Sequence, residues 1–121
     1  MRVLVIEDES SIRDNIIEMF ELKDIEVYGA INGKEALASI DNIKPNIILC
    51  DLMMPVMNGF EFIESLKQHD LHKNIPVIFV SARAEISEKE KALEAGAVDF
   101  ITKPFSFVEI SDKLKKHFKQ S

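Results

Sequence analysis

The chain has 121 residues, 46% of them apolar, which suits one domain with a core of its own. Lys and Arg number 15 against 21 Asp and Glu, a net charge of −6, opposite in sign to that of a protein built to grip a nucleic-acid backbone. A lone cysteine, Cys50, excludes an internal disulfide and no stretch is apolar for the length of a membrane span, so the chain reads as a soluble cytoplasmic domain making no direct contact with nucleic acid or membrane.

Short apolar runs alternate with amphipathic segments along the whole sequence. The first strand, β1, is expected over residues 2–6, with no charged-then-apolar leader before it. Helix α1 follows Ser10 and Ser11, either of which can cap it, and sets Ile12, Ile16, Met19 and Phe20 on one stripe. Strand β2 is expected over 26–30, and α2 over 33–40 with Ala36, Leu37 and Ile40 inward. Strand β3 is expected over 46–50. Helix α3 starts near Gly59 with Phe60, Ile63 and Leu66 as its apolar face. After Pro76 come β4 over 77–80, α4 over 87–95 closed by Gly96, β5 over 99–101 and α5 over 107–118.

This βαβα rhythm predicts an α/β fold with a parallel sheet covered by helices on both faces; the expected form is flavodoxin-like and doubly wound, with five strands in the order 2-1-3-4-5 and five helices. No repeat, low-complexity tract or linker interrupts it, so residues 1–121 read as one domain. The basic tail of α5, from Lys113 to Lys119, reads as a solvated helix end where cations suit the dipole.

Function is carried by what stands at the ends of the strands. In such a sheet the ligand site lies outside the carboxyl ends, where strand order reverses, between β1 and β3. Glu7 and Asp8 end the first run and Asp51 ends the third. Three acids at one spot repel until protonation or a cation relieves them, and a small oxygen-only ligand set at an open loop suits Mg²⁺. Ser81 follows β4 and Lys103 follows β5 on the same edge, where a hydroxyl and an ammonium could hold phosphoryl oxygens while Asp51 attacks. His69 and His72 are spaced like ligands on one helix face but sit near a polar helix end, and His117 does not accompany the acids, so none is read as a metal ligand. Met53, Met54 and Met57 read as loop packing, and Phe105 and Phe107 as anchors of α5.

Taken together, Glu7-Asp8, Asp51-Leu52-Met53-Met54-Pro55 with Asn58-Gly59, Ser81-Ala82, Ala95-Gly96-Ala97 with Asp99-Phe100, and Lys103-Pro104-Phe105 resemble the receiver domain of bacterial two-component response regulators. The resemblance covers essentially the whole chain. It implies Asp51 as phosphoacceptor, Asp8 as a direct Mg²⁺ ligand, Glu7 as a ligand through water and Met53 as one through its backbone carbonyl. It also implies that Ser81 and Lys103 bind the phosphoryl group, that Phe100 is the switch aromatic, and that the Lys103-Pro104 bond is cis, aiming the ammonium at the site. Its partners would be a sensor histidine kinase or histidine phosphotransfer protein, a downstream target, and another receiver through the α4-β5-α5 face. The chain would be a phosphorylated signalling domain rather than a free-standing enzyme.

Three positions depart from the commonest pattern of that family: Glu7 where Asp is usual, Ser81 for Thr and Phe100 for Tyr. Met53 and Arg83 are expected to govern how water reaches the phosphoryl group. A haloacid-dehalogenase reading fails because position 53 is Met where a second acid is needed. A flavin module fails because Glu7-Asp8-Glu9 would repel its phosphate, and no phosphate-binding glycine loop supports ATP binding. The alternative is a receiver-like interaction module acting without phosphorylation.

Overall fold

The structure is a computed structural model and describes residues 1–82 and 85–118. Five strands and five helices alternate along it: β1 (Arg2–Ile6), α1 (Ser10–Glu21), β2 (Glu26–Ala30), α2 (Gly33–Ile43), β3 (Ile47–Asp51), α3 (Gly59–Lys67), β4 (Val77–Ser81), α4 (Ile86–Glu94), β5 (Asp99–Thr102) and α5 (Phe107–His117). All strand pairs are parallel and the order is β2-β1-β3-β4-β5, the topology expected from the sequence.

Strands β3 and β4 are buried at every residue, as interior strands covered on both faces must be, which is why their sequences run unbroken in apolar residues. Because successive side chains point to opposite faces, the strands divide between two cores. Leu4, Ile6, Ile48, Cys50 and Phe79 pack with Ala36, Ile40, Phe62, Ile63, Leu66 and Ala92 of α2, α3 and α4. Val3, Val5, Ile47, Leu49, Ile78 and Ile101 pack on the other face with Ile16 and Phe20 of α1 and Ile110 and Leu114 of α5.

Several element ends differ from the sequence reading. Neither Ser10 nor Ser11 caps α1: the helix begins at Ser10, its flanking residue is Glu9, and no side chain caps it. The first helical bond is instead closed on the Glu9 carbonyl by the Arg13 amide at 3.0 Å. Helix α2 runs on to Ile43, because Lys44 takes a left-handed conformation (φ 51°) that ends the helix without a glycine. In α3 the fully buried aromatic is Phe62, while Phe60 is half-buried and packs edge-on to Phe79. Strands β3, β4 and β5 each extend one residue further, so Asp51 and Ser81 are the last residues of their strands.

Two glycines stand where a side chain would not fit easily. Gly59 opens α3 against the end of β3, where an added Cβ would meet the Asp51 carbonyl oxygen at 3.0 Å and Leu52 Cα at 3.0 Å. Gly96 follows α4 at φ 111°, a conformation that side chains disfavour. The Lys103-Pro104 bond is cis. Arg83 and Lys119 lie outside the described residues.

Candidate functional site

Strands β1 and β3 are neighbours, paired through Ile6 and Cys50, so the residues that follow, Glu7 and Asp51, stand side by side at the carboxyl edge of the sheet. Each of Glu7, Asp8 and Asp51 offers a carboxylate oxygen, and these atoms lie within 4.8 Å of one another. Among the described residues this is the one such group of potential metal ligands. Glu7 and Asp51 are buried and Asp8 is exposed, so the pocket has a dry floor and an open mouth.

Lys103, just past β5, reaches into the pocket from two strands away. Its ammonium Nζ stands 2.8 Å from Glu7 Oε1 and 3.4 Å from Asp51 Oδ2. Backbone bonds fix the rim. The Lys103 amide donates to the Ser81 carbonyl at 2.8 Å, the Met53 amide to Asp51 Oδ1 at 3.3 Å and the Glu9 amide to Glu7 Oε2 at 3.4 Å.

The electrostatics follow from burial and neighbours. Burial lifts the Glu7 carboxyl above its ordinary pKa, contact with the Asp51 carboxyl adds to the rise, and Lys103 opposes it. For Lys103, burial favours the neutral amine, but Glu7 and Asp51 outweigh it and hold the ammonium charged. Three acids against one ammonium still leave the pocket short of positive charge. The donors are all oxygen, which fits a hard divalent cation such as Mg²⁺.

The other residues singled out in the sequence fall as follows. Ser81 is buried at the end of β4, opposite Thr102 in the sheet. Phe100 is buried on β5 opposite Phe79. Met53 is exposed, whereas Met54 and Met57 pack into the core, as loop packing requires. Phe105 and Phe107 pack on the α1–α5 side, with the Phe107 ring 5.6 Å from that of Phe20. The histidines stand apart from the acids. His72 is buried with its Nε2 2.5 Å from Asp41 Oδ1, a partner supplied by α2 from far away in sequence, and His117 Nε2 lies 2.9 Å from Asp99 Oδ2.

Arg13 escaped the sequence reading. Its Nη1 donates to the Glu7 carbonyl at 2.8 Å, and the only signal was its place one turn after the acidic pair.

Comparison with known proteins gives the same picture by a separate route. Residues 3–115 match the family described as response regulator receiver domain. The chain is 40% identical over 113 residues to the phosphate regulon transcriptional regulatory protein PhoB of Pseudomonas aeruginosa, covering 93% of this chain and 49% of that protein. It is 35% identical over 114 residues to the transcriptional regulatory protein PrrA of Mycobacterium tuberculosis, covering 94% and 48%. The chain thus spans about half the length of the curated relatives it matches. Among solved structures, the chemotaxis protein CheY4 of Vibrio cholerae superposes with a TM-score of 0.91 at 28% identity, covering 97% of this chain and 98% of that one. The receiver domain of the Francisella response regulator 1452 gives a TM-score of 0.87 at 34% identity, covering 95% and 93%. A parallel sheet in this order, acids gathered at its switch point and a sequence match along nearly its full length have one explanation: the chain belongs to the response regulator receiver domain family.

Proposed function

We propose that this chain accepts a phosphoryl group on Asp51 from a phosphohistidine carried by a sensor histidine kinase or a histidine phosphotransfer protein. A carboxylate oxygen of Asp51 forms the new bond to phosphorus as the phosphorus–nitrogen bond of the donor breaks, and the ring nitrogen keeps the electron pair. The observation that carries this reading is the meeting of three carboxylates with the ammonium of Lys103 at the carboxyl edge of the sheet.

An acidic cluster of this kind is typical of the receiver Mg²⁺ site. Asp8 and Asp51 would hold the ion directly, Glu7 through water and Met53 through its backbone carbonyl. When bound, it supplies positive charge opposite the transferred oxygens. Lys103 would exchange Glu7 for a phosphoryl oxygen, and Ser81 would donate its hydroxyl to another. Phe100 would follow Ser81 inward and bias the α4-β5-α5 face toward the form that binds a downstream partner or a second receiver.

Residues 1–121 would act as one cytoplasmic receiver domain that assists its own phosphotransfer and dephosphorylation. A groove of about 460 Å³ lined by Ile12, Ile16, Met19, Ala82, Pro104 and Phe105 opens beside Lys103, and its apolar wall supports docking of the donor protein there. The test is intact-mass measurement after incubation with Mg²⁺ and a small acyl phosphate. One added phosphoryl group is expected in the wild type and none in Asp51→Asn. Equal gain in both, or no gain where another receiver is labelled, would overturn the reading.

A further inference from the structure

The main chain at the end of β1 has to be held in place before its side chains can be. Glu7 is 3% exposed, its amide donates to the Ala30 carbonyl at 3.0 Å, and its own carbonyl is buried where the sheet ladder stops. A buried carbonyl needs a donor. The donor is Arg13 Nη1, at 2.8 Å. Arg13 stands in the first turn of α1, where its amide also bonds the Glu9 carbonyl at 3.0 Å. One residue thus ties both ends of the segment that carries Glu7 and Asp8.

The neighbouring strand leaves room for it. At Gly29 of β2 an added Cβ would meet Ile17 Cδ1 at 2.9 Å and Arg13 Cδ at 3.2 Å, so the stem of Arg13 runs in the lane that the absent side chain leaves open. The guanidinium is planar and permanently charged, and it grips main chain rather than a titrating group, so its hold does not vary with the state of the acids.

We propose that Arg13 is a positioning residue for the acidic pocket, fixing the β1–α1 loop through the Glu7 carbonyl so that Glu7 and Asp8 stay aimed at Asp51. The proposal rests on the phosphoacceptor reading above. A loop freed of this bond must be ordered again each time a cation binds, so affinity falls while chemistry at saturation changes little. Loss of an outer-shell support commonly weakens metal binding by about tenfold or more.

The test titrates Mg²⁺ by calorimetry, and separately as the half-saturating concentration for labelling by a small acyl phosphate, on the full chain. Arg13→Met keeps the stem and removes the donors, and Arg13→Lys restores one. Arg13→Met is expected to bind Mg²⁺ about tenfold more weakly, with a labelling rate at saturating Mg²⁺ within about twofold of wild type, and Arg13→Lys to recover most of the affinity. A folded Arg13→Met with wild-type affinity would overturn the proposal, as would a fall in saturated rate equal to the fall in affinity. If Arg13→Met fails to fold, Arg13→Gln, which shortens the stem and removes the guanidinium, carries the test: weaker Mg²⁺ binding supports the proposal and unchanged binding overturns it. Absence of Mg²⁺ uptake by the wild type would overturn the phosphoacceptor reading itself, and this inference with it.

Discussion

Lys103 offsets repulsion among the carboxylates of the pocket, and in the proposed reaction its ammonium would meet the phosphoryl group. Lys103→Met is expected to slow labelling of the chain by an acyl phosphate on the order of a hundredfold, the usual cost of one lost charged donor, and unchanged single-turnover kinetics would contradict that role. A second residue titrates away from the site. Burial alone would raise the Asp99 carboxyl, but donation from Lys113 at 2.9 Å, from the Phe100 amide at 2.8 Å and from His117 holds it below the ordinary carboxylate value. Because the folded value lies below the unfolded one, the stability it contributes is present above the unfolded value and is lost as pH falls through the folded one. Asp99→Asn is therefore expected to cost on the order of 1 kcal/mol at neutral pH after solvent screening. In urea melts that gap should close as the solution is acidified, and a gap constant with pH would refute the assignment. The acids, Ser81 and Lys103 were legible as positions because each ends an apolar run. Arg13 was not, because an arginine on an amphipathic helix looks like part of its solvated face.

At the scale of elements, apolar periodicity located every helix and strand, and the errors sit where a single backbone angle or a single face decides. The end of α2 could not be read because Lys44 closes it in a left-handed conformation with no glycine to announce it. In α3 the spacing favoured Phe60, yet both Phe60 and Phe62 lie near the apolar stripe and only tertiary packing chooses between them. Phe62 is fully buried between α3 and the sheet, so Phe62→Ala is expected to cost about 3–5 kcal/mol in chemical denaturation. Phe60→Ala, at a half-buried site, should cost clearly less. The reverse order would mean that the helix is rotated from the position described.

For the molecule as a whole, a parallel sheet covered on both faces was legible because parallel buried strands carry a recognisable sequence, and short alternating units leave few topologies open, the order 2-1-3-4-5 among them. Long-range pairings were not, among them His72 with Asp41 and His117 with Asp99, since nothing local marks either partner. In the proposed function the pocket places a phosphoryl group on one carboxylate, that of Asp51. Reducing the labelled chain with borohydride converts an aspartyl phosphate to homoserine, which peptide mass mapping locates. Homoserine at position 51 alone is the expected result. Homoserine at position 8, or no reduced residue in a chain that has gained a phosphoryl mass, would contradict the account.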